Sequence, residues 1–144
     1  SPGFPDPKAD RAIHEFTYSL YPHAGNYSKG QVAKVGYELN IPLRAISIKP
    51  HKGILPETTS FIQLNADNII VEAVKQAEDS KEMILRLYEN QELGTHVKIQ
   101  LNMKIKSAKL TNLMEEKPKR LDITGNGIEL VFGPFEIHTV KIMF

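Results

Sequence analysis

Cysteine and tryptophan are absent from this 144-residue chain, and neither sign of charge dominates it, with 18 Lys and Arg against 17 Asp and Glu. Without cysteine there is no disulfide, no thiolate metal site and no thiol nucleophile, an absence that fits a reducing cytoplasm. A formal net charge of +1 supplies no long-range field for nucleic acid or an anionic membrane, so neither is expected as a partner. No run approaches the roughly 18 consecutive apolar residues of a spanning helix, and Ser1-Pro2-Gly3-Phe4-Pro5 lacks the pattern of a secretory signal. The chain does not start with Met and is expected to be a piece of a longer polypeptide. There is no internal repeat, low-complexity tract or heptad. What is present, 41% hydrophobic and 24% charged residues, suffices for one globular domain or two small ones sharing an interface.

Residues 1–10 hold three prolines and a glycine and read as an extended lead-in. Over 13–21, Phe16, Tyr18 and Leu20 alternate with Glu15, Thr17 and Ser19, which predicts a strand. It ends in the turn residues Pro22-His23-Ala24-Gly25-Asn26. Ser28 and Gln31 have capping-box spacing ahead of Val32, Val35, Gly36 and Leu39, so a short helix is expected over 28–39. Asn40 and Pro42 stop it. A weaker strand follows over 43–48, then a Pro- and Gly-punctuated loop with a domain seam near 57–60.

Beyond the seam the chain is almost purely strand-like. Runs at 61–64, 69–74, 83–88, 97–103, 108–113, 128–132 and 135–142 are separated by Asn, Asp, Gly, Pro and Lys clusters. The clearest, Val97-Lys98-Ile99-Gln100-Leu101-Asn102-Met103, puts four apolar residues on one face and three polar on the other, as a sheet with one wet face requires. Asn126-Gly127 is a turn signal. Phe135 and Ile137 fall out of phase with Val140 and Ile142, which predicts a bulge near His138-Thr139. The fold expected is mainly β: an antiparallel β-sandwich over 61–144, preceded at 1–60 by the tail of a larger β-domain carrying strands and the helix.

The chemistry-bearing residues are sparse. His14, His23, His51, His96 and His138 are far apart, without H-x-H, H-x-D or H-E-x-x-H spacing. There is no P-loop, G-x-G-x-x-G or G-x-S-x-G. Glu78-Asp79 and Glu115-Glu116 read as solvated loop acids rather than as a carboxylate pair facing across a cleft. Lys98, Lys104, Lys106, Lys109, Lys117, Lys119 and Arg120 form a basic stretch without aromatic residues, the pattern of a solvated sheet face and not of a single-strand groove. Tyr21 and Tyr27 flank a turn, where a ring could stack on a sugar.

Three stretches, in order, resemble one family. Phe16-Thr17-Tyr18-Ser19-Leu20-Tyr21-Pro22-His23 is similar to the F-x-Y-x-L-x-P-H segment that lies past the catalytic region of glycoside hydrolase family 38 α-mannosidases. Lys75-Gln76-Ala77-Glu78-Asp79 with Arg86-Leu87-Tyr88-Glu89 resembles that family's K-x-A-E-D … R-L-Y-E segment. Pro134-Phe135-Glu136-Ile137-His138-Thr139 resembles its closing P-F-E-I-x-T. The resemblance implies the carboxyl-terminal β-domain of a retaining, zinc-dependent enzyme whose Asp nucleophile, Asp acid/base and zinc ligands all lie in an amino-terminal domain. No catalytic or metal residue carries over, and this chain alone is expected to be inactive. It also implies packing against that catalytic domain, with Tyr21, His23 and Arg44 as substrate-rim candidates and α-mannosides met through the parent enzyme. The other readings are an independent carbohydrate-binding module and a protein-interaction sandwich. An unpaired sheet edge would favour self-association.

Overall fold

In the computed structural model, residues 12–144 are described; the expected lead-in over 1–10 lies outside them. The chain divides into two compact units, Ser1–Leu43 and Arg44–Phe144. The first contains helix α1 (Val32–Asn40). The second contains eight strands: β1 (Ile62–Leu64), β2 (Ile69–Gln76), β3 (Met83–Glu89), β4 (Thr95–Leu101), β5 (Ser107–Thr111), β6 (Lys119–Leu121), β7 (Gly127–Phe132) and β8 (Ile137–Met143).

The strands form two antiparallel sheets, one ordered β1-β4-β7 and the other β2-β3-β8-β5-β6. Their alternating residues supply one core, with Val97, Ile99, Leu101, Ile128, Leu130 and Phe132 from the smaller sheet and Leu85, Leu87, Ala108, Val140 and Ile142 from the larger. The architecture is the expected β-sandwich. Each fully buried aliphatic or aromatic side chain contributes about 1.5–3 kcal/mol of transfer free energy.

Local departures have local causes. β6 was not expected, because Lys119-Arg120-Leu121 shows no apolar alternation; ladder pairing of Leu110 with Lys119 and Ala108 with Leu121 holds it at the sheet edge. The register shift lies not at His138-Thr139 but in β2, between Val71 and Ala73. β8 pairs with β3 and β5 without interruption. Phe135 is out of phase because it belongs to the β7–β8 turn, with φ of 55°, rather than to the strand. The Asn126-Gly127 signal is displaced by one residue. Thr124 and Gly127 bond each other across a Gly125-Asn126 loop, and Gly125 takes the positive φ of 63° that favours glycine at the first loop position. Gly127 instead begins β7, where a Cβ would come 2.9 Å from Gln100 Oε1.

In the first unit α1 ends near the expected position but begins at Val32, four residues after the expected start, and without the expected side-chain cap. Gln31 takes a left-handed conformation, and its amide donates to the Ser28 carbonyl at 3.3 Å. The helix ends where Ile41 N–H donates to Tyr37 O at 2.8 Å. The expected strands over 13–21 and 43–48 are not formed. A strand needs a ladder partner, and neither segment has one among the described residues. Phe16, Tyr18, Leu20, Leu43, Ile46 and Ile48 are exposed as a result.

Candidate functional site

Tyr21 and His23 lie ahead of α1 in the first unit. The two rings stack at 5.6 Å, with 29° between their planes. Gly30 makes room for the imidazole: a Cβ there would fall 2.3 Å from His23 Nδ1. The turn that follows, over 26–30, is fixed by Gly30 N–H donating to Asn26 O at 2.9 Å and Lys29 N–H donating to Asn26 Oδ1 at 3.0 Å. A cavity of about 310 Å³ lies between Ser19 and Tyr21 on one side and Val32, Val35, Gly36 and Leu39 of α1 on the other. Arg44 belongs to the second unit, exposed and without a carboxylate partner among the described residues. Tyr27 is also exposed.

The remaining histidines are dispersed. His96 Nε2 lies 3.1 Å from Glu129 Oε2. The His138 ring packs 4.4 Å from that of Phe132, with Nε2 3.0 Å from Val131 O. Among the described residues no three His, Cys, Asp or Glu side chains converge on a metal position.

The acidic pairs are more structured than loop acids should be. Cross-strand register aligns Lys75, Ile84, Lys141, Lys109 and Arg120 in one row across the larger sheet. Ile84 is fully buried yet stands apart from the sandwich core. The row's cations draw in the loops that follow β2 and β5. Lys75 Nζ lies 2.5 Å from Glu78 Oε1 and 2.7 Å from Glu115 Oε1, and Glu78 N–H donates to Glu115 Oε2 at 2.9 Å. Lys109 Nζ meets Glu82 Oε1 at 3.0 Å; Lys141 Nζ meets Asp79 and lies 3.9 Å from Glu82 Oε2. Arg86 donates to Leu113 O and Thr139 Oγ1. Glu82, Glu115 and Lys141 are buried. The Lys75 hydrogen bond holds the Glu115 carboxyl below the usual glutamate range, and the Lys141 bond does the same for Asp79. Lys75 and Lys141 are raised reciprocally, chiefly by their hydrogen bonds to Glu115 and Asp79. Lowered in pKa and matched to cations, Glu115 and Asp79 are suited to pinning loops and not to exchanging protons.

A second buried acid organises one end of the sandwich. Glu89 is fully buried. It accepts from Asn68 Nδ2 at 2.9 Å, Gln91 N–H at 2.7 Å, Phe135 N–H at 3.0 Å and the Leu93 backbone. Burial pushes its pKa up, but the donors outweigh burial and hold it below the usual range. Nothing in local sequence announced either group, since their members are joined by register and loop closure.

With both sheets, the loop acids and the Tyr21 turn described, the comparison with known proteins places the chain. Residues 68–140 match the family model described as glycosyl hydrolases family 38 C-terminal beta sandwich domain, and the chain belongs to that family. Over 99% of its length it is 34% identical to a mouse protein named alpha-mannosidase 2C1, of which it covers 14%. It is 42% identical over 62% of its length to alpha-mannosidase G of Dictyostelium discoideum, covering 8% of that protein. A Saccharomyces cerevisiae alpha-mannosidase is 29% identical over the whole chain, which spans 15% of it.

Proposed function

We propose that this chain is a non-catalytic C-terminal β-domain of an α-mannosidase, supporting and flanking an active site carried elsewhere in the polypeptide. The observation that carries the reading is the contrast between a complete sandwich, whose buried carboxylates are all committed to donors, and a preceding stretch whose alternating apolar residues face solvent. Such a stretch is suited to completing the sheet of a larger β-domain. In this reading 1–60 is the tail of that domain and 61–144 the terminal sandwich. The parent is a retaining, zinc-dependent glycosidase of mannose metabolism, and its zinc is held outside this chain. The lack of cysteine supports a cytoplasmic location.

Hydrolysis of a chromogenic α-mannoside tests this, comparing the chain supplemented with zinc with a polypeptide extended to the length of the mannosidase relatives. Activity only in the longer protein is expected. Activity in this chain alone would contradict the proposal. Within the longer protein, Tyr21→Ala, His23→Ala and Arg44→Ala test the substrate rim; a rise in KM is expected, and unchanged kinetics for all three would remove these residues from it. The stacked Tyr21–His23 pair also favours a second reading, a carbohydrate-binding surface. That reading requires the chain alone to bind mannosides, and the Tyr21→Ala variant to lose binding.

A further inference from the structure

The β5–β6 hairpin and its flanks bring together Lys104, Lys106, Lys109, Lys117, Lys119 and Arg120. The three acids in the same stretch, Glu115, Glu116 and Asp122, do not neutralise them evenly. Glu115 is buried and given over to Lys75 and the Glu78 backbone, leaving exposed Glu116 in the hairpin loop and exposed Asp122 just after β6 as the counter-charges. Lys109 is paired with Glu82, and Lys106 donates to Phe144 O at 2.7 Å. Lys104, Lys117, Lys119 and Arg120 have no carboxylate partner among the described residues.

A cavity of about 450 Å³ opens beside these cations, within the roughly 300–1,000 Å³ of small-molecule sites. Lys106, Lys109 and Arg120 line its polar side, and Ala108, Leu121 and Ile123 its apolar side. Three cations around a partly apolar hollow, of which Arg120 has no carboxylate partner among the described residues, call for a ligand with a compact multiple negative charge on an organic body. A guanidinium engages phosphate oxygens through two parallel N–H donors, which gives Arg120 the leading role. The stretch 104–123 contains no aromatic side chain, so it offers no platform for stacked bases.

We propose that this cavity binds a small phosphate monoester, its phosphate on Arg120 and Lys106 and its organic part against Ala108, Leu121 and Ile123. The assignment does not depend on the mannosidase reading. Titration of the ¹⁵N-labelled chain with inorganic phosphate and with phenyl phosphate, at constant ionic strength, tests it by amide chemical shifts. Saturable shifts confined to 106–109 and 118–123 are expected, with phenyl phosphate binding more tightly than inorganic phosphate. Arg120→Gln should weaken both by about tenfold with the spectrum otherwise retained, and Lys98→Gln, on the smaller sheet, should leave both unchanged. Equal shifts from sodium chloride, shifts spread over the whole surface, or an unaltered titration of Arg120→Gln would each overturn the proposal. So would an oligonucleotide that binds more tightly than phenyl phosphate and also shifts Lys104, Lys117 and Lys119.

Discussion

Phe16, Tyr18 and Leu20 obey the same alternation as Val97, Ile99 and Leu101, yet the first three are 82%, 86% and 90% exposed while the second three are at most 2% exposed. Period-two patterning specifies that a segment has an apolar face; it does not specify what covers that face. β4 lies between β1 and β7 with the larger sheet's core residues over it, so its pattern is satisfied within the chain. Residues 13–21 have the pattern and lack the neighbour. Matching relatives are several times longer than this chain, which is consistent with a partner surface supplied by other parts of such a protein.

The largest effect should come from cutting into the half that is complete. Phe132→Ala removes a fully buried ring and should lower the unfolding free energy by about 3–5 kcal/mol. Phe16→Ala should change it by less than about 0.5 kcal/mol in the chain alone. Urea unfolding of the two variants measures the contrast directly, and equal losses would break it.

Glu89→Ala comes next. It strands donors from three loops at one end of the sandwich, and a loss of about 2 kcal/mol is expected. The same carboxylate predicts a pH response. Because its folded-state pKa is lowered, its contribution is present above the usual glutamate range and disappears as pH falls through the folded value. The raised Lys75 and Lys141 act in the opposite direction, contributing below the usual lysine range and failing only as pH rises through their folded values. A stability profile against pH should therefore decline at its acid and strongly alkaline ends, with the acid limb reduced in Glu89→Ala.

Removing residues 1–60 should have a smaller effect, leaving the urea midpoint of the sandwich nearly unchanged, because the core is drawn from residues beyond the cut. A collapse of cooperative unfolding would show that the first half stabilises the second. The most local change is Gly36→Ala. No atom lies within 4 Å of the added Cβ, so helix α1 should gain up to about 1 kcal/mol of local propensity. Circular dichroism should show slightly more helix, with no shift in the sandwich midpoint.

The legible parts of the fold were those governed by neighbours in sequence. Val97 to Leu101 could be read from alternation, and the stop at Asn40 from the proline that follows. β6 was illegible because its identity rests on hydrogen bonds to β5. The bulge was misplaced because an out-of-phase Phe135 looks the same whether the strand bulges or has not yet begun. The site was less legible still. Tyr21 and His23 could be singled out as neighbours in a polar-aromatic turn, but their stacking depends on Gly30 leaving space for the imidazole. Lys75, Asp79, Glu82, Lys109, Glu115 and Lys141 form one network only after three registers align them. Glu115 was consequently read as a solvated acid, although burial and Lys75 make it part of the structure.

Hydrogen exchange, compared between this chain and a polypeptide extended to the length of the mannosidase relatives, tests the central contrast most directly. Slow exchange in β3, β4, β7 and β8 is expected in both proteins, whereas the amides of 13–21 and 43–48 should exchange freely in this chain and become protected in the longer one. Protection of those segments in this chain alone, or in neither protein, would contradict the proposal that they await a sheet supplied by a longer polypeptide.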